Sequence, residues 1–485
     1  MQKLVRSEIN YLSFEGGGGA GNAYPGALVA LEELDILKYD AQREKLDPAA
    51  SLDLAASPLG VDWQLRGQIE GVSGASAGAI NALFLSLGYT PAEVEFILKH
   101  PDNDFNAFFD EIIPGLVPHV GGFRLESAPY DLAGFAEQFS ATTAGTILNV
   151  LSGYAPFRFI QFREWESTLV GMYMGSQWTA LLGLFAEFPE AAVQQVLSKL
   201  NTGEDAASLL FDFGIFPGIV ARKFFARYVS LAVERILQDD PGYNLKDTPG
   251  GAYGPSLGVD ATYGRSFYDS ETNTDVRTSE ITFRQHEEIF GTKLLVTGSN
   301  LETQKSHFFS ADATPNFRIV DAVRISMSLP LFFKPMIIKD EADLKLVVNP
   351  GEPVGEHYLK GVWADGGLFN NIPVAAFDQI AGGPGHTLGL MVGLEGRTEI
   401  TNIFGFLGAY PLGLGVFGTG GSQVSATTSD TDRILVLDTR DAASGETIGL
   451  LDFSVEKTLY DSINAQSNQS VKDFFATRAT TSATP

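Results

Sequence analysis

Gly74-Ala75-Ser76-Ala77-Gly78 stands between a strand-like run, residues 68–73, and a helical run, residues 77–85. A reversal this tight leaves little room for side chains beside the serine, so glycine is needed at both 74 and 78. The pattern is G-x-S-x-G, and the strand-then-helix context is that of a nucleophile elbow. Ser76 falls at a helix N-terminus, where unpaired N–H groups and the macrodipole favour developing negative charge. The expected chemistry is the making and breaking of acyl–oxygen bonds.

Two further pieces fit the same mechanism. Gly16-Gly17-Gly18-Gly19 follows a short strand at 10–14 and precedes a helix at about 23–37, so its amides can converge on an oxyanion. Asp365 ends a strand predicted over 358–364, and Gly366 and Gly367 after it let other groups approach its carboxylate. A serine hydroxyl is a poor nucleophile at neutral pH, and a carboxylate within hydrogen-bond reach can take its proton directly. Losing one oxyanion donor typically costs about 3–4 kcal/mol of transition-state stabilisation, so the glycine run matters as much as the serine.

Rival patterns are weaker. Gly16-x-Gly18-x-x-Gly21 matches a dinucleotide fingerprint, but a helix and a polar loop occupy the stretch where a second strand ending in an acidic residue should lie. Ser76, Asp365 and His386 follow the chain order of a histidine-based hydrolase triad, although a loop histidine without a catalytic role explains His386 more simply. The other histidines show no paired metal-binding spacing.

Composition excludes several classes. The 485 residues are 44% apolar and 19% charged, as a globular chain should be, and contain no cysteine for thiol catalysis, disulfides or metal ligation. With a net charge of −26 and no dense Lys/Arg cluster, no nucleic-acid partner is expected. Contact with an anionic membrane would have to rest on apolar surface, for which the glycine-rich window 400–429 is the candidate. That window makes a poor spanning helix, and the N-terminus lacks the apolar core of a signal peptide. A soluble, cytoplasmic protein is expected, with non-classical secretion left open.

Strands alternating with helices argue for one α/β domain over 8–480. Residues 91–213 read as mostly helical and irregular, with Gly/Pro breaks at 114–122 and a cap over the site as one role. Residues 239–280 read as a long loop, rich in Asp, Gly, Ser, Thr and Tyr.

The chain resembles the patatin-like phospholipases, lipid acyl hydrolases with a Ser–Asp dyad. The resemblance rests on residues 12–18 with 26–28, on 74–78, on 321–330 and on 364–373, and more loosely on 452–460. It reaches from about residue 10 to 475, with insertions near 38–62, 100–210, 239–280 and 340–356. It implies a three-layer α/β/α sandwich with a central mixed sheet, Ser76 as nucleophile, Asp365 as base, Gly17, Gly18 and Gly19 as oxyanion donors, and catalysis without metal or cofactor. It also implies an acyl lipid substrate such as a phospholipid, while peripheral membrane contact is an expectation that rests on the apolar window 400–429. A general carboxylesterase or thioesterase, or a non-catalytic lipid-binding protein, are the alternatives. Where the family usually carries Arg or Lys in its glycine motif, this chain has Ala20.

Overall fold

The computed structural model describes residues 4–39, 47–52, 66–125, 208, 212–238, 242–246, 264–349, 357–393, 430–449 and 452–481. Most of the predicted cap, from 126 to 207, and the apolar window 400–429 lie outside the described residues.

Eight strands form the main sheet: β1 (Tyr11–Phe14), β2 (Gly71–Gly74), β3 (Lys293–Asn300), β4 (Lys305–Phe309), β5 (Met336–Ile338), β6 (Gly361–Asp365), β7 (Thr387–Gly393) and β8 (Ile434–Asp438). Their path is β5-β6-β3-β2-β1-β7-β8, with β4 also paired to β3. The centre, β3-β2-β1-β7-β8, is parallel, while β6 and β4 run antiparallel to β3. Alternation along each strand sends neighbouring side chains to opposite faces. Leu12, Phe14, Val72, Leu294 and Val296 enter the large core on one face. Tyr11 and Leu295 instead meet Phe377 on the other, where the Tyr11 and Phe377 rings stack at 4.4 Å.

Helices cover the large-core face: α1 (Tyr24–Glu33), α2 (Ala77–Ser86), α3 (Pro91–Lys99), α4 (Ile219–Leu237), α5 (Phe283–Phe290), α6 (Ile319–Ser326) and α8 (Lys457–Thr481). The short α7 (Glu341–Val347) lies within the expected 340–356 insertion. The segment around Pro373–Ala381 closes the second face, completing a three-layer α/β/α sandwich. Local signals explain several helix starts. Thr90 and Glu93 form a capping box before α3, with Pro91 in its first turn, and Thr282 and Gln285 do the same for α5. The carboxylate of Asp110 accepts the first amides of α4, from Gly218, Ile219 and Val220.

Two sequence expectations need correction. Residues 114–122 are not simply a break in helical chain: Leu116–His119 and Gly122–Leu125 pair as a hairpin whose turn holds Gly121 at φ +81°. The described end of the predicted 239–280 loop is also structured. Ser266–Asp269 pairs with Thr274–Arg277, so turn-rich composition concealed two short strands.

Candidate active site

The sheet register brings Ser76 and Asp365 together. Val296 is paired with Gly74 and with Phe309, and Gly298 with Asp365 and with His307. A strand residue has only two edges, so β2 and β6 share one edge of β3 and meet end to end. The last residue of β6, Asp365, therefore arrives beside the elbow that leaves β2.

At the elbow, Ser76 adopts φ 49° and ψ −122°, a strained conformation for a residue with a side chain. It holds the N-cap position of α2, yet its hydroxyl makes no capping bond to the helix and stays free for other work. A methyl at 74 would run into the carbonyl of Gly78, and one at 78 into the carbonyl of Phe14. Both glycines are thus fixed by close backbone approach. The Ser76 amide donates to Ser326 Oγ at 2.9 Å, which ties the strained turn to the end of α6.

Asp365 is 4% exposed. Its Oδ1 accepts the Gly367 amide at 2.7 Å, while Oδ2 is buried without a well-formed hydrogen bond among the described residues. Burial pushes this carboxyl up to about 7, opposed by the Gly367 amide and the nearby Ser76 hydroxyl, both of which favour the ionised form. The Asp365 amide donates to the Ser328 carbonyl at 3.0 Å. Ser326 and Ser328, two residues apart, therefore hold the backbones of Ser76 and Asp365. Gly366 packs on Thr297 and Gly367 on Asn371, where Cβ atoms would collide.

The glycine loop lies alongside. Gly18 has φ +53° and opens a turn of 3-10 helix, Gly18–Ala23, that leads into α1. Among the described residues the amides of Gly17, Gly18 and Gly19 make no hydrogen bond, as expected for the first amides of a helical turn. Asn371 donates to the Gly16 carbonyl at 3.0 Å and to Glu15 Oε1 at 3.1 Å, and Glu15 Oε2 accepts the Val392 amide at 2.9 Å. Glu15 is buried, so its carboxylate pins the loop to the strand ends from within the fold. Ala20 is buried as well.

Ser76 and Gly18 open on a cavity with walls that include Ile80, Leu98, Phe105, Phe108, Met327 and Phe333. Apolar walls of this kind beside the Ser76 hydroxyl suit an acyl chain.

Sequence patterning gave Ser326, Asn371 and Glu15 no role, although all three sit in or beside the motif blocks. His386 is placed elsewhere. It precedes β7, where Tyr11 pairs with Thr387, and its Nδ1 lies 2.9 Å from the Glu8 carbonyl. That is the opposite end of β1 from the elbow, about 13 Å away at the rise of a strand.

A family model described as patatin-like phospholipase matches residues 12–378. The chain belongs to the patatin-like phospholipase family. Over 94 residues this patatin-like chain is 27% identical to the probable lipid hydrolase 463L of Invertebrate iridescent virus 6, a match taking in 19% of the chain and 26% of the viral protein. Among solved structures, VipD from Legionella pneumophila is similar over 97% of this chain and 67% of its own, at 15% identity and TM-score 0.39. The type III effector ExoU of Pseudomonas aeruginosa is similar over 97% of this chain and 53% of its own, at 16% identity and TM-score 0.34. The patatin-like chain thus matches about a quarter of the viral relative's length and about half of ExoU. Among its described residues no helix is long and apolar enough to cross a membrane.

Proposed function

We propose that this chain is a serine lipid acyl hydrolase working through a Ser76–Asp365 dyad. Asp365 takes the hydroxyl proton as Ser76 Oγ attacks the ester carbonyl, and the tetrahedral oxyanion is held by the amides of Gly17, Gly18 and Gly19. Collapse expels the alcohol, which leaves with the proton held by Asp365, and gives the acyl-enzyme. Asp365 then activates a water that releases the fatty acid and regenerates the serine. Gly74 and Gly78 shape the elbow, and Gly366 and Gly367 the turn that aims the base.

The observation that carries this reading is the end-to-end meeting of β2 and β6 on one edge of β3, which sets a strained, uncapped serine beside a buried carboxylate. The apolar cavity and the family support phospholipids or related acyl lipids as substrates, and the viral relative is itself named a probable lipid hydrolase. Wild type, Ser76→Ala and Asp365→Asn should be assayed on a short nitrophenyl ester and on mixed phospholipid vesicles with chelator present. Hydrolysis of both by wild type alone is the expected result. Activity on the short ester only would point to a general esterase, and activity surviving in Ser76→Ala would overturn the mechanism.

A further inference from the structure

The family match ends at residue 378, yet the later chain closes around the glycine loop. A Cβ at Gly19 would meet the carbonyl oxygens of Gly449 and Asp452, each at 2.5 Å. A Cβ at Gly26, in the first turn of α1, would run into the backbone of Asn464 on α8.

Asn464 bonds to this junction directly. Its Oδ1 accepts the Gly26 amide at 2.6 Å, and its Nδ2 donates to the carbonyls of Asn22 and Tyr460, both at 2.9 Å. Chemistry fixes the orientation of the carboxamide, because the Gly26 amide can only donate and the Asn22 carbonyl can only accept. Residues 22 and 26 stand four apart, the spacing of one helical turn, so Asn464 grips both ends of the turn where Gly18–Ala23 runs into α1. From there the hold passes inward. The Asn22 side chain donates to the Gly19 carbonyl at 2.8 Å, and Asn22, Gly18 and Ser76 line one cavity. A glycine has no side chain to limit its rotation, so contacts from outside the loop decide where the Gly19 amide points.

We propose that Asn464 is a positioning residue for the oxyanion loop, fixing the junction of the glycine turn with α1 and thereby the aim of the Gly18 and Gly19 amides. The proposal rests on Ser76 as nucleophile and on the loop as oxyanion hole, and it makes the C-terminal helix part of the catalytic unit.

Two variants test it. Asn464→Leu keeps the volume but makes neither bond, and Asn464→Asp keeps the acceptor for Gly26 while setting a carboxylate against the Asn22 carbonyl. In both, kcat on a short nitrophenyl ester should fall about ten- to a hundred-fold with KM within about two-fold of wild type. The second readout is the ratio of inhibition constants for an alkyl trifluoromethyl ketone and the matching methyl ketone. The first adds Ser76 as a hemiketal whose oxygen takes the oxyanion's place, whereas the second binds without adding. Wild type should favour the trifluoromethyl ketone, and that preference should shrink in both variants by about the factor lost from kcat. The ratio is independent of how much enzyme is active, so a merely structural role would leave it unmoved. An unchanged ratio, or kcat within two-fold of wild type in both variants, overturns the proposal. Should wild type neither hydrolyse the ester nor favour the trifluoromethyl ketone, the Ser76 reading fails instead, and hydrogen exchange decides whether Asn464 holds the loop. Amides of residues 16–24 should then exchange about ten-fold faster in both variants, with those of 71–86 unchanged, and no change in 16–24 overturns the hold itself.

Discussion

Ser326 Oγ accepts the backbone amide of Ser76 at 2.9 Å. The elbow is held at a positive φ that a serine would not choose, and this bond from the end of α6 opposes its relaxation. Ser326→Ala should cost about 1 kcal/mol of stability and lower kcat on a short ester about ten-fold with little change in KM. Steady-state kinetics and thermal melts of the variant check both effects. An unchanged kcat would show that the elbow keeps its shape without Ser326.

The raised pKa of Asp365 makes two pH-dependent predictions of opposite sense. A general base must be ionised, so kcat/KM should fall about ten-fold per pH unit below 7 and level off above it. A pH–rate profile on a neutral ester, with no descending limb until well below 7, would contradict the burial argument.

Stability should run the other way. The folded pKa of about 7 lies above the ordinary value of 3.8, so the folded state holds this proton more tightly than the unfolded chain does. The group's stabilising contribution is therefore full below about pH 4 and is lost as pH rises through 7. Asp365→Asn removes the ionisation while keeping an acceptor for the Gly367 amide. It should raise the melting temperature at pH 8 by about 2–5 °C, with the gain vanishing toward pH 4, while abolishing hydrolysis.

Glu15 should resist even an isosteric change. Its two carboxylate oxygens accept from Asn371 and from the Val392 amide, and a glutamine would turn an NH2 group toward one of these donors. Glu15→Gln should cost about 2–3 kcal/mol and lower activity, because the oxyanion loop loses an anchor. Denaturant midpoints and ester kinetics, compared with an exposed control such as Glu288→Gln, measure the effect.

His386→Ala should leave ester hydrolysis within two-fold of wild type, because His386 sits at the far end of β1, against Glu8 and Asn10. A loss as complete as that of Ser76→Ala would restore the histidine triad and remove the Ser–Asp dyad.

Much of the fold was legible because its signals are local. The helix at about 23–37, the elbow helix and the runs that became β1 and β2 could be read within a residue or a few of their ends. The helix at 283–290 is announced locally only by Thr282-x-x-Gln285, and the hairpin at 266–277 is hidden by loop-like composition. The glycines at 74 and 78 were legible for a sharper reason, since the reversal at Ser76 is a matter of neighbouring atoms alone.

The partnership of Ser76 with Asp365 was suggested by motif order, but no local signal could place them side by side. That followed from β6 entering antiparallel on the edge of β3 that β2 had left, a register set by long-range strand pairing. The same holds for Ser326, Asn371 and Glu15, whose roles exist only through what the fold stacks against them. It also holds for His386, which shares chain order with a triad but lies at the wrong end of a strand. Sequence by itself determined which groups could do chemistry, because backbone geometry and side-chain type are properties of neighbours. The tertiary structure decided which groups meet and how they titrate, because burial and hydrogen bonding are conferred by residues distant along the chain.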